Sequence, residues 1–143
     1  MLIVDANVLL HAVNRDSPEH PHARAWLDAA LAGPETVGFA WTVLLAFLRV
    51  STHPAVFGQP LAPDDALAVV RSWLEQSTAA VVEPTSRHLA VLGGLLTEAG
   101  TAGNLVNDAH LAALAVEHAA SLVSFDADFA RFKGLDWINP PRR

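Results

Sequence analysis

Acidic side chains stand next to short apolar runs at three places in this sequence. Asp5 follows the run at residues 2–4, whose β-branched residues favour a buried strand. Asp126 and Asp128 follow a second such run at residues 121–125. A carboxylate at the end of a strand in a parallel α/β sheet lies in the crevice where ligands bind. Each acid taken alone also has a structural interpretation, because Asp is common at helix N-termini and in turns.

A further acid, Asp108, stands just before an apolar helical segment. In a parallel sheet a connecting helix runs antiparallel to the strands, so its N-terminus lies at the edge that also carries Asp5 and Asp126. Carboxylates gathered away from bulk water repel one another unless a cation or a proton neutralises them. Oxygen ligands suit Mg²⁺, or Mn²⁺, better than Zn²⁺. A metal held there can activate water against a phosphodiester, so the acids predict phosphoryl chemistry.

Alternating strands and helices position these acids. We expect strands at residues 2–4, 36–40, 79–83, 121–125 and 136–138, separated by helices that include residues 8–13 and 109–118. Ser86 is the expected N-cap of the helix that Gly100 ends. This alternation predicts an α/β fold in which helices cover both faces of a parallel sheet.

Length and composition favour one folded domain over residues 1–143, with a mass of 15.2 kDa and a mean hydropathy of +0.30. The sequence has no cysteine, which excludes disulfides, thiolate metal sites and a cysteine nucleophile. Charged and polar residues interrupt every apolar run well before the roughly 20 residues that a bilayer span requires. We therefore expect a cytoplasmic protein with no membrane partner.

The formal net charge of −6 is unusual for a protein that binds nucleic acid. Acids that gather around a divalent cation would account for part of it, and a locally basic rim can coexist with an acidic whole. The acidity also fits a protein that docks a basic peptide partner. The seven histidines are scattered, without the spacing of a metal site.

Several segments of the chain together resemble the PIN domain, and most closely the VapC-type ribonuclease toxins of bacterial toxin–antitoxin pairs. The resemblance lies in residues 3–7, 44–49, 103–112, 122–129 and 137–140. It implies a three-layer α/β/α sandwich with a central parallel sheet, and Mg²⁺-dependent endonucleolytic cleavage of an RNA such as tRNA. It also implies a homodimer and a cognate VapB-type antitoxin.

The resemblance assigns roles to particular residues of this chain. Asp5, Asp108 and Asp126 match the catalytic acids that bind the metal. The supporting residues are Asn7, Ser124 and Asp128, of which the last is an accessory acid.

One position departs from the family pattern. Relatives carry a glutamate three residues before an arginine on the helix after the second strand, and here Ala46 precedes Arg49. Water can replace a missing Mg²⁺ ligand, although metal affinity should fall. Glu98 is a candidate substitute. The alternative function is therefore a catalytically weakened PIN-like scaffold that binds RNA or a protein partner without cutting.

Overall fold

Strands and helices alternate along the chain in the computed structural model, which describes residues 1–100 and 102–140. Within those ranges five strands are present: β1 (Leu2–Val4), β2 (Val37–Ala40), β3 (Ala79–Val82), β4 (Ser121–Val123) and β5 (Trp137–Ile138). The same ranges contain six α-helices: α1 (Ala6–Val13), α2 (His20–Ala32), α3 (Trp41–Ser51), α4 (Pro63–Leu74), α5 (His88–Ala99) and α6 (Val106–Glu117). Positions 101 and 141–143 of the predicted domain lie outside the described residues.

The five strands of the described residues form one parallel sheet in the order β3-β2-β1-β4-β5. In the central strand, Leu2 pairs with Val37 of β2 on one side and with Ser121 of β4 on the other. The chain moves outward from β1 to β3 and then returns to the other side of β1. This reversal creates a topological switch point between β1 and β4, which is where open α/β sheets bind ligands.

The helices fall into two groups that cover opposite faces of the sheet. Helix α1 packs against α2 and α3, and α3 packs against α4, whereas α5 packs against α6. Because parallel crossovers are right-handed, the reversal of direction after β3 places the later helices on the other face. The predicted three-layer α/β/α sandwich with a central parallel sheet is confirmed. In the described residues, no helix is both long enough and apolar enough to cross a bilayer.

The sheet forms the centre of the hydrophobic core. Ile3, Phe39 and Leu122 have no exposed area, which explains why the strands read as continuous apolar runs. Gly38 of β2 lies where neighbouring side chains converge: a Cβ added there would be 3.0 Å from Val82 Cγ1 and 3.1 Å from Ile3 Cγ1. The centre of the sheet is therefore packed without room for a further methyl group.

Several predicted boundaries shift by a few residues. Helix α1 begins at Ala6 and not at residue 8, because the Asp5 side chain accepts the Ala6 amide hydrogen and starts the helix directly after β1. Helix α6 begins at Val106 and not at residue 109, since the 3₁₀ helix Gly103–Leu105 leads into it. Strand β4 ends at Val123, two residues earlier than predicted.

The expected N-cap at Ser86 is wrong. Helix α5 begins at His88, and the hydroxyl of Thr85 accepts the backbone N–H of Arg87 at 3.2 Å. The predicted end of this helix is confirmed, because Gly100 has a φ of 73° and terminates α5 in the left-handed conformation.

Candidate active site

A cleft of about 370 Å³ opens at the carboxyl end of β1. Its lining comes from three places: Asp5 and the first residue of α1, several residues of α3, and the first half of α6 with Asn107 and Asp108. Its volume lies in the range of roughly 300–1,000 Å³ that is usual for ligand sites. The cleft thus lies beside the switch point of the sheet.

Asp5 is held by hydrogen bonds to both of its carboxylate oxygens. Its Oδ1 accepts from the backbone N–H of Ala6 at 2.7 Å, and its Oδ2 accepts from the Ser124 hydroxyl at 2.7 Å. Burial raises the pKa of Asp5, and repulsion from Asp126 adds to that rise, while the two hydrogen bonds oppose it. The carboxylate therefore has a fixed orientation in an environment that disfavours its charge.

Ser124 links the ends of the two central strands. Its hydroxyl is completely buried, donates to Asp5, and accepts from Asn7 Nδ2 at 3.0 Å and from the Asp126 amide at 3.0 Å. Asn7 Oδ1 in turn accepts from the amide of Phe125 at 3.2 Å. The structure thus joins Asn7 and Ser124 to Asp5 in a single hydrogen-bond network.

Asp108 lies in the first turn of α6, where the described residues provide no hydrogen bond to its carboxylate. Burial raises the pKa of Asp108. Repulsion from the three other acids, Asp5, Asp126 and Asp128, acts in the same direction, and only Arg131 opposes it. Four carboxylates therefore influence one another at this edge of the sheet, and a cation would stabilise Asp108 in particular.

The two acids after β4 behave differently from each other. Asp126 caps the 3₁₀ helix Ala127–Arg131, with its Oδ1 accepting from the Asp128 amide at 2.9 Å. The Asp128 carboxylate is exposed and lies 3.7 Å from a guanidinium nitrogen of Arg131. Asp128 thus contributes charge to the site while its side chain pairs with an arginine.

Across residues 1–100 and 102–140, no three His, Cys, Asp or Glu side chains lie close enough together to surround one metal ion. The carboxylates of Asp5, Asp108 and Asp126 are thus neighbours that do not converge on one point. Asp5 accepts from Ser124, and Asp126 accepts from the Asp128 amide. Mg²⁺ commonly uses one or two protein carboxylates and keeps several waters. The oxygen-only donor set and the raised pKa values fit such an ion.

The position that departs from the family pattern faces this cleft. Ala46 and Arg49 lie one turn apart on α3, and both line the cleft wall. Glu98 is exposed on α5 and does not line the cleft, so the structure does not bring it to the acids. The space where a further carboxylate would enter is therefore bordered by Ala46 and Arg49.

A second polar network was not predicted from the sequence. The Glu117 side chain has no exposed area, and its Oε1 accepts from the Thr85 amide at 2.9 Å and the Thr85 hydroxyl at 2.6 Å. His88 Nδ1 donates to Glu117 Oε2, and His88 Nε2 lies 2.9 Å from His110 Nδ1. Because a carboxylate only accepts, His88 carries a proton on Nδ1.

This network joins the exit of β3 to both helices of one layer. Burial acts to raise the pKa of Glu117, but the hydrogen bonds from Thr85 and His88 outweigh it, and the pKa is lowered. Burial and the neighbouring His88 together lower the pKa of His110. One signal in the sequence pointed to this network. His110 and Glu117 are seven residues apart on α6, and this spacing places both side chains on the same face of the helix.

Comparisons with known proteins agree with this geometry. The family model of the PIN domain matches residues 2–135. The chain is 55% identical to ribonuclease VapC37 of Mycobacterium tuberculosis over 99% of this chain and 98% of that relative. It is 41% identical to ribonuclease VapC33 of the same species over 99% of both chains.

A solved structure of VapBC2 from Rickettsia felis, bound to a DNA fragment from its promoter, has the same fold. It matches with a TM-score of 0.72 at 18% identity, covering 96% of this chain and 97% of that one. The family model and the two relatives each match almost the whole chain. The chain therefore belongs to the PIN domain family and, within it, to the VapC ribonucleases.

Proposed function

We propose that this protein is a Mg²⁺-dependent endoribonuclease toxin of a type II VapBC toxin–antitoxin system, acting as one domain over residues 1–143. The observation that carries the proposal is the position of the acids at the β1–β4 switch point. Asp5 and Asp108 line one cleft there, and the Ser124 hydroxyl bonds both the Asp5 carboxylate and the Asp126 amide. The raised pKa values of Asp5 and Asp108 favour a site that a cation completes. Mn²⁺ has the same ligand preference and is the expected substitute.

In the proposed mechanism Asp5, Asp108 and Asp126 act as the catalytic acids. They would provide the protein ligands of the ion, with water in its remaining positions. A bound Mg²⁺ would supply Lewis-acid chemistry, which activates water and stabilises the departing oxygen of a phosphodiester. Ser124 and Asn7 keep Asp5 and the segment after β4 in fixed relative positions. Asp126 is the candidate general base by its position, and Asp128 acts as an accessory acid.

Calorimetric titration of Mg²⁺ and Mn²⁺ into the metal-free protein tests the proposed cofactor. Wild-type protein should bind either ion, and Asp108→Asn should abolish measurable binding because it removes the carboxylate without a hydrogen-bond partner. Asp28→Asn is the matched control, since Asp28 pairs with Arg24 on the exposed side of α2. Equal binding by wild type and Asp108→Asn would contradict the assignment.

Asp108→Asn separates a catalytic role from a structural one. We expect it to lower RNA cleavage by at least about 100-fold, as loss of a catalytic group does, and to relieve growth inhibition on expression. The same change should raise the melting temperature of the metal-free protein by roughly 3 °C, because it removes a repelled charge. Thermal denaturation and cleavage of an RNA pool measure the two effects. Unchanged toxicity of a folded variant would show that the acid is structural.

We further propose a cognate VapB-type antitoxin as the protein partner, and a homodimer as the assembly. The acidic cleft and the net charge of −6 favour a cationic antitoxin segment, with an arginine entering the acid cluster in place of a metal. Co-expression with the neighbouring open reading frame should yield a complex, and absence of any co-purifying chain would contradict it. Light scattering after gel filtration measures the number of subunits.

A further inference from the structure

We propose that Arg49 is a substrate-binding residue that holds a backbone phosphate of the RNA in the acid cleft. The inference rests on the proposed function. It identifies the cationic side chain that would allow a negatively charged phosphate to bind in a cleft that contains Asp5 and Asp108. Among the described residues that line this cleft, Arg49 is the one cation. An RNA phosphate entering beside two carboxylates needs such a partner, because the acids alone repel it.

The guanidinium of Arg49 is available for this contact. It lies on the exposed side of α3 and, within residues 1–100 and 102–140, forms no ion pair and no side-chain hydrogen bond. The residue one turn earlier is Ala46, so no acid on that turn neutralises it. Arg131 differs, because it pairs with Asp128 and lowers the pKa of Asp108.

The chemistry of arginine matches the proposed ligand. A planar guanidinium donates two parallel hydrogen bonds to the oxygens of one phosphate, which fixes both its position and its orientation. A phosphate held by Arg49 on α3 would face Asp5 and Asp108 across the same cleft. The arginine would thus orient the phosphodiester while the acids remain free to hold the cation.

Arg49 also lies in the last turn of α3, where a cation stabilises the C-terminal end of a helix. This structural role predicts a change in stability when Arg49 is replaced, and no change in how RNA binding depends on salt. The two roles are therefore separable by measurement.

The test measures binding of a fluorescein-labelled single-stranded RNA of random sequence by fluorescence anisotropy over a series of salt concentrations. All proteins carry Asp108→Asn, so that the RNA is not cut. Arg49→Gln should weaken binding about tenfold at low salt and make the slope of log K against log [salt] less negative by about 0.7. Arg49→Lys should retain the slope, because it keeps the charge.

Arg71→Gln is the matched control, since Arg71 is an exposed arginine on α4 that does not line the cleft. It should leave both affinity and slope unchanged. An Arg49→Gln protein with the slope of its parent would overturn the inference, as would absence of RNA binding by the parent. Cleavage of an RNA pool by protein with Asp108 intact is measured separately. If the protein with Asp108 intact cleaves RNA but Arg49→Gln leaves the salt slope unaltered, only the role of Arg49 is contradicted and the proposed function is not.

Discussion

The acids of the cleft differ in how the protein holds them. Asp5 has a hydrogen bond to each carboxylate oxygen, whereas Asp108 has none from the described residues. A fixed acid preserves ligand geometry, and an acid without a partner gains most from an added cation. Ala46 limits the number of acids in this cleft, since its methyl group occupies the wall where relatives are expected to carry a carboxylate.

Restoring that carboxylate should strengthen metal binding. Ala46→Glu adds an oxygen ligand on the cleft wall, so we expect Mg²⁺ affinity to rise roughly tenfold. The same charge should lower the melting temperature of the metal-free protein, because it adds repulsion to Asp5 and Asp108. Calorimetry and thermal denaturation measure both effects, with Ala46→Gln as the neutral control of similar size. A Glu variant that binds Mg²⁺ no better than the Gln variant would show that position 46 does not reach the ion.

At the scale of elements, the two helices of one layer are joined through buried polar groups as well as apolar packing. Glu117 near the end of α6 accepts from Thr85 after β3 and from His88 at the start of α5. These donors satisfy the buried carboxylate of Glu117. If its charge is removed, Thr85 and His88 lose an acceptor of equal strength. The network therefore adds polar contacts between α5 and the helix that carries Asp108.

Glu117→Gln should destabilise the protein in a pH-dependent way. The folded-state pKa of Glu117 is lowered from 4.5, so the charge stabilises the fold above that pH, and this contribution is lost as the pH falls through the lower folded value. We expect Glu117→Gln to lower the free energy of unfolding by about 1.5–3 kcal/mol at pH 7, and we expect this difference to shrink below about pH 4.5. Urea denaturation at several pH values measures it. Glu98→Gln, on the exposed face of α5, is the control, and an equal loss at all pH values would contradict the mechanism.

At the scale of the whole molecule, the sheet is closely packed at its centre, whereas the outer surface of α5 is open. Gly38 has neighbouring side-chain atoms on both sides at 3.0 and 3.1 Å from a Cβ position, whereas Gly93 on α5 has none within 4 Å. Replacing the glycine with a larger residue should therefore lower the stability of the protein at position 38 and raise it at position 93.

Gly38→Val should destabilise the fold by about 1–3 kcal/mol, because it forces β1 and β3 away from β2. Gly93→Ala should stabilise the protein by about 0.5–1 kcal/mol, since the helix gains a better helix former and the new methyl group meets no neighbour. Chemical denaturation gives both values. A neutral Gly38→Val variant would mean that the sheet can expand at little cost.

The parts of this structure that are encoded locally were predictable. Buried strands appear as apolar runs. Asp5 follows β1 directly and Asp126 comes shortly after β4, so the direction of the strands predicted that both acids lie at the same edge of the sheet. The network of Thr85, His88 and Glu117 was not predicted, because its members come from separate segments and meet only through packing. The start of α6 was also missed, since a 3₁₀ turn containing glycine looks like a loop.

The central position of β1 has a consequence for protein synthesis. Strand β1 is synthesised well before its partner β4, because Asp5 and Ser124 are 119 positions apart. At roughly 5–20 residues per second, about 6–24 s separate their synthesis. During that interval one edge of β1 has no partner, and Asp126 has not yet been made. A nascent chain therefore cannot assemble the acid cleft until β4 and Asp126 have been synthesised and can reach β1.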